Sequence, residues 1–269
     1  MFSMGRRIHR DLRNKTADND SVDVSELNGI RSLHLGTDTI QSSMRVKAPY
    51  DLELTYTRGM MMFLPFVDEV RDVLLIGLGG GSIAKFIYHY LPAMRTTAVE
   101  INSRVIATAR SHFYLPDDDA RLRVIEGDGI AHVMNNPNSC DVLMLDAFGS
   151  DGIAEAMCSQ GFFDHCAAAL TRNGVCMVNL WGSDPNFELY RQRIALSFEG
   201  RALVLPTGRP GNIVVMGFRQ LPAELRWTSL RDRARTLQVL YKIEFVDFIE
   251  KLRDHNPGTA HRLQLGVEP

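Results

Sequence analysis

A chain of 269 residues, 45% of them hydrophobic, holds enough apolar material for one large core or two modest ones. Its 30 basic and 32 acidic side chains leave a formal charge of −2, which sets up no field toward nucleic acid or anionic lipid. No apolar run approaches the roughly 18 residues that a membrane helix needs.

The first stretch, residues 1–28, combines Arg6, Arg7, Arg10, Arg13 and Lys15 with Asp11, Asp18, Asp20 and Asp23. With no apolar segment behind the basic cluster it does not read as a secretory signal, and the expectation is a solvated, disordered tail. Residues 29–66 alternate. Leu33 and Leu35 lie on one side of Gly36-Thr37-Asp38, and Ile40, Ser42, Met44 and Val46 resume the period of two on the other. That pattern predicts a β-hairpin, with Gln41 on the face opposite Ile40. Leu52, Leu54 and Tyr56 follow, and Arg58 to Leu64 turns helical and ends near Pro65; its methionines read as packing.

Between residues 67 and 220 strands and helices alternate, which predicts a sheet covered on both faces. Strands are expected at Asp72–Ile76, Thr96–Glu100, Arg121–Glu126, Asp141–Asp146, Val175–Leu180, Ala202–Leu205 and Asn212–Arg219. Helices are expected near Ser82–Tyr90, Ser103–Phe113, Gly129–Met134, Gln160–Leu170 and Asn186–Ser197. The link Pro206 to Gly211 is too short for a crossover, so the last two strands should pair antiparallel. In residues 221–269, apolar positions from Leu230 to Leu252 recur at three and four, predicting one or two packing helices.

The chemistry concentrates at Asp72 to Ser82. An apolar strand stops at Gly77-Leu78-Gly79-Gly80-Gly81-Ser82, and a helical pattern begins at once. Alternate glycines Gly77, Gly79 and Gly81 let the backbone approach a ligand, and a helix N-terminus follows. A dinucleotide fingerprint would carry Gly or Ala where Ser82 stands, so the pattern suits a nucleoside without a pyrophosphate. Glu100 closes the second strand, where a carboxylate can meet ribose hydroxyls. Asp128-Gly129 follows the third strand, with two readings open for Asp128: a cap for the next helix or a contact to adenine. Asp146 closes the fourth. Open sheets bind ligands at the carboxyl ends of their strands, so these carboxylates are expected around one crevice. Cys140, Cys158, Cys166 and Cys176 form no CxxC pair and the histidines no HxxxH pair, so the reading is core cysteines in a reducing cytoplasm and no metal.

The ordered set Val73–Gly81, Val99-Glu100-Ile101-Asn102, Gly127-Asp128-Gly129, Val142–Asp146 and Phe162-Phe163…Asn173-Gly174 resembles spermidine synthase and the other polyamine aminopropyltransferases. The likeness extends from about Leu33 to Phe218 and is closest to the divergent, spermidine synthase-like branch. It implies a Rossmann-like seven-stranded α/β sheet of the class I methyltransferase type, with a small N-terminal β-hairpin region and C-terminal helices. It further implies transfer of an aminopropyl group from decarboxylated S-adenosylmethionine to an amine such as putrescine, by a cytoplasmic homodimer. Gln41, Ile101 and Gly129 would join Glu100 and Asp128 around the adenosyl group. Asp146 would be the base, Tyr56 would line the amine pocket, and Asp151 would supply a further carboxylate. Three acidic positions of the family pattern are changed: Gly80 stands in the glycine loop, Gly149 three residues after Asp146, and Arg58 two after Tyr56. Those changes keep two alternatives open, a methyltransferase using intact S-adenosylmethionine and a non-catalytic nucleoside-binding relative.

Overall fold

The computed structural model describes residues 21–37, 39–149, 152–153, 155–208 and 211–266. Asp38 and Asp151, and residues 1–20 of the expected tail, lie outside the described residues. The N-terminal layer is β1 (Val22–Leu27), β2 (Ile30–Leu35) and β3 (Ile40–Arg45), antiparallel in that order. The hairpin is therefore present as β2–β3, and the tail reading is corrected at its end. Val22 and Val24 pack with Leu35 around a small core of Leu33, Met44 and Phe113, which gives β1 a buried face despite the acidic run before it.

The rest continues as α1 (Thr55–Gly59), β4 (Asp72–Ile76), α2 (Ser82–Tyr90), β5 (Arg95–Glu100), α3 (Ser103–Phe113), β6 (Leu122–Glu126), α4 (Gly129–Asn135) and β7 (Cys140–Leu145). After the two-residue strands β8 (Phe148–Gly149) and β9 (Gly152–Ile153) come α5 (Gln160–Ala169), β10 (Leu170–Trp181) and α6 (Phe187–Ser197). The chain closes with β11 (Ala202–Pro206), β12 (Asn212–Phe218), α7 (Trp227–Tyr241) and α8 (Phe245–His255). The seven-stranded sheet runs β11-β12-β10-β7-β4-β5-β6, and β12 lies antiparallel to both its neighbours. Chain order reverses between β4 and β7, which puts the first βα loop at the topological switch point of the sheet.

Residues alternate cleanly across the sheet. Val73, Leu75, Val142, Met144, Val175, Met177, Val214 and Met216 face one core, closed by Met60–Phe63, α2, α7 and α8. Leu74, Ile76, Leu143, Leu145, Cys176 and Val178 face the other, covered by α5 and α6. All four cysteines are buried and unbridged. No helix among the described residues is long and apolar enough to cross a membrane.

A titratable side chain sits inside this packing. Lys85 of α2 is fully buried; its Nζ donates to the Phe113 carbonyl at 2.6 Å and approaches Met44 Sδ at 3.1 Å, so it pins α2 to α3 and β3. Burial, reinforced by Arg31, brings its pKa from 10.5 down to about 7. The unfolded chain then binds more protons than the folded one between those values, so stability rises with pH across that window and is lost as pH falls back toward 7. Denaturant unfolding at pH 7, 8 and 9 should show a climb of up to about 1.4 kcal/mol per pH unit, and Lys85→Met should flatten it. Equal slopes in the two proteins would contradict a buried, neutralised amine.

Candidate functional site at the carboxyl ends of the central strands

The glycine loop is held from three sides. Gly77 N–H donates to the Val99 carbonyl at 2.9 Å, and Asp146 N–H donates to Ile76 at 2.9 Å, fastening the ends of β5, β4 and β7 together. Gly127 N–H reaches the Glu100 carbonyl at 3.0 Å, adding the end of β6. Gly77 (φ +89°), Gly79 (φ +53°) and Gly81 (φ +70°) all take left-handed backbone, and Gly81 is the cap of α2. Gly77 is also required sterically, because a Cβ there would lie 2.4 Å from the Asp146 carbonyl oxygen.

Gly80 is closed off differently. A Cβ at that position would meet Phe113 Cδ1 and Ser42 Oγ, each at 2.8 Å. Ser42 Oγ in turn bonds Ser82 Oγ at 3.1 Å, so β3 is seated directly on the loop. The room for a carboxylate at this point of the loop is taken by a serine and an aromatic ring.

Glu100 turns back onto the loop: Oε2 accepts from Leu78 N–H at 2.9 Å and Oε1 from Asn102 N–H at 3.0 Å. The carboxylate is thus fixed in place, and each oxygen keeps acceptor capacity for a hydroxyl. Ile101 beside it is 73% exposed. Asp128 caps α4, its Oδ1 accepting from Ile130 N–H at 2.8 Å, so the capping reading of this residue holds. Gly129 is buried, and a Cβ there would lie only 2.4 Å from Ile76 Cγ2, so α4 packs tight against the end of β4.

Asp146 follows β7 directly and its side chain has two partners. Oδ1 accepts from Asn179 Nδ2 at 2.9 Å, and the Tyr56 hydroxyl stands 3.3 Å from Oδ2 and 3.4 Å from the Gln41 carbonyl. Burial pushes the Asp146 carboxyl up to about 7, against the opposing pull of these two donors. The same burial and the facing carboxylate raise the Tyr56 phenol well above its ordinary value, so it stays a neutral donor. Gln41, at the start of β3, contributes its backbone to this contact. Arg58 does not enter the site. Its Nε donates to both carboxylate oxygens of Glu244, at 2.8 and 2.9 Å, and its Nη1 donates to the carbonyls of Leu52 and Glu53. It therefore ties α1, and with it Tyr56, to the chain just before α8.

Sequence reasoning missed Asn179, Asn212 and Ser42. Asn179 had a signal: along β10 the residues Val175, Met177 and Asn179 share one face, and the last is a buried polar group in an apolar row. Among the described residues no group of three His, Cys, Asp or Glu side chains is placed to hold a metal ion.

A sheet of this strand order, with a glycine loop after β4 and acids at the ends of β5, β6 and β7, is the class I methyltransferase-like fold. The solved structures similar to it include a probable spermidine synthase from Corynebacterium glutamicum (TM-score 0.67, 20% identity, 91% of this chain and 95% of that one). Another is human methyltransferase-like protein 13 in complex with SAH (TM-score 0.62, 20% identity, 70% and 93%). A third is a spermidine synthase in complex with the transition-state analogue AdoDATO (TM-score 0.61, 21% identity, 78% and 74%). Sequence is more discriminating. The spermine/spermidine synthase domain matches residues 53–192. The polyamine aminopropyltransferase of Chromobacterium violaceum is 42% identical across 90% of this chain and 93% of its own length. That of Neisseria meningitidis serogroup A is 38% identical across 97% and 100%. The chain belongs to the spermine/spermidine synthase family, whose members named above are transferases.

Proposed function

We propose that this protein moves an aminopropyl group from decarboxylated S-adenosylmethionine to a small amine such as putrescine, with Asp146 as the base. The observation that carries this reading is a half-buried carboxyl, poised near pH 7 and held by Asn179 and Tyr56, at the rim of the glycine loop. Full-length relatives named as polyamine aminopropyltransferases support the substrate class. In this reading Gly77, Gly79 and Gly81 floor the nucleoside site, Glu100 takes the ribose hydroxyls, and Asp128, Gly129, Ile101 and Gln41 surround the adenosyl group. Tyr56 walls the amine pocket. A homodimer joined through the N-terminal sheet and working in the cytoplasm belongs to the same proposal.

The steps follow from the charges. An aliphatic ammonium has a pKa of about 10 and offers no lone pair. Asp146 takes one proton from it, and the freed nitrogen attacks the carbon attached to the sulfonium. That carbon–sulfur bond breaks with its electron pair going to sulfur, leaving a neutral thioether and a secondary ammonium. An ordinary carboxylate, with a pKa of about 4, lies some six units below the amine. Raising Asp146 to about 7 halves that gap, which makes the proton transfer less uphill by about 4 kcal/mol. Binding the cation opposite Asp146 also aligns the nitrogen for displacement.

Thermal shift separates the donor from its relatives, because a ligand stabilises in proportion to its affinity. Decarboxylated S-adenosylmethionine should raise the melting temperature more than the intact compound at equal concentration. A larger shift with the intact compound would sink the proposal in favour of methyl transfer, and no shift with either would remove the nucleoside site.

A further inference from the structure

We propose that Asn179, oriented by Asn212, is a positioning residue that reserves one oxygen of Asp146, Oδ2, for the transferred proton. This rests on the reading of Asp146 as the base. Asn179 is 1% exposed, so its amide must be satisfied within the protein. Its Nδ2 donates to Asp146 Oδ1 at 2.9 Å, and its Oδ1 accepts from Asn212 Nδ2 at 2.9 Å.

The direction of this chain is set by chemistry. A carboxylate only accepts, so the amide edge that faces it must be the NH2. The carbonyl edge of Asn179 then points to Asn212, which must present its own NH2. Turning either amide over would place two acceptors face to face. The register brings the two amides together: Asn179 and Asn212 stand on the same face of two paired antiparallel strands, with Asn212 opposite Trp181 and Asn179 opposite Val214. The backbone carbonyl of Asn212 accepts from Thr207 N–H and Oγ1 at 3.0 and 2.7 Å, which fixes the strand position from which its side chain projects.

The consequence is an unequal pair of oxygens. Oδ1 already accepts the Asn179 N–H, which lowers its basicity and makes it the poorer of the two oxygens for a proton. Oδ2 faces the Tyr56 hydroxyl, which has one proton and two acceptors in range, Oδ2 at 3.3 Å and the Gln41 carbonyl at 3.4 Å. When Oδ2 is ionised the phenol donates to it. Once Oδ2 holds the proton, the phenol donates to the Gln41 carbonyl and accepts from the Asp146 carboxyl. Tyr56 of α1 is the titratable group bonded to Asp146. Glu100 across the loop is engaged by Leu78 and Asn102, and Arg58 of α1 is paired with Glu244.

The test is the pH dependence of turnover by the full chain with putrescine and decarboxylated S-adenosylmethionine. Asn179→Leu keeps the volume and removes the donor, and should move the acid limb of the profile upward by about one pH unit or more. The melting shift given by the donor should stay as in the wild type. Asn212→Leu, which does not touch Asp146, should move the limb in the same direction by less. The double variant should match Asn179→Leu alone, because the second link has no effect once the first is cut. An unmoved limb in Asn212→Leu, or additive shifts, overturns the relay. If the leucine variants do not fold, Asn179→Asp carries the test: a carboxylate facing Oδ1 must share a proton and raise the limb, and an unmoved limb overturns the proposal. Failure of the underlying reading looks different, since the acid limb would then persist in Asp146→Asn.

Discussion

Asp146→Asn should lower turnover by about 10²–10⁴-fold, the usual contribution of a positioned base, while the donor-induced melting shift survives. The wild-type profile should lose activity below about pH 7, tenfold for each unit of acidity, because the reactive form is the ionised carboxylate and its pKa lies there. The variant should show no such limb. Its stability should move the opposite way from its activity. The folded state of the wild type holds a proton on Asp146 between its ordinary pKa near 3.8 and about 7, where the unfolded chain has lost it. Stability therefore falls as pH rises through that window, and above 7 the protein carries an ionised group in a poorly solvating place. An amide removes that cost. Denaturant unfolding at pH 8 should find Asp146→Asn as stable as the wild type or more so, which separates loss of the base from loss of the fold. Unchanged turnover in a folded variant would assign the proton to another group.

The two halves of this site differ in how readily a sequence discloses them. Local chemistry was legible: Gly77 to Ser82, Glu100, Asp128 and Asp146 all sit at strand-to-loop boundaries that the apolar period marks out. The three-stranded layer was half legible, because Val22 and Val24 alternate correctly but follow an acidic stretch whose composition points to solvent. What could not be read is pairing over long distances in the chain. Tyr56 meets Asp146 across 90 positions, and Arg58 meets Glu244 across 186. Arg58 shows the risk of reading a charge by itself. In the sequence it looks like a cation placed where an amine must bind; in the fold its charge is answered by a carboxylate from the far end of the chain. Gly80 carries the same lesson with the opposite sign. The missing acid leaves no gap there, because Ser42 and Phe113 close over the loop. In the proposed reading the amine meets fewer carboxylates than the family pattern offers, and Asp146 carries a larger share of the charge complementarity.

Gly77→Ala should be the most damaging single methyl in the molecule. At φ +89° an alanine is strained, and its Cβ would stand 2.4 Å from the Asp146 carbonyl oxygen and 2.8 Å from the carbonyl carbon. These are backbone atoms held by the Asp146–Ile76 hydrogen bond, so no side chain can swing aside to relieve the contact. Strain and overpacking together should cost about 3 kcal/mol or more. The same displacement would shift Asp146 relative to the loop, so activity and the donor-induced melting shift should disappear along with stability. Gly161→Ala is the matched control. Gly161 lies in α5, and a Cβ there meets nothing within 4 Å. That change should be neutral or stabilising by about 0.5–1 kcal/mol through helix propensity, with turnover retained. If the two alanines behaved alike in unfolding and in donor binding, the loop could not be pressed against the end of β7. The proposed base and the proposed nucleoside floor would then be independent structures, whereas the contact of Gly77 with the Asp146 backbone makes them one.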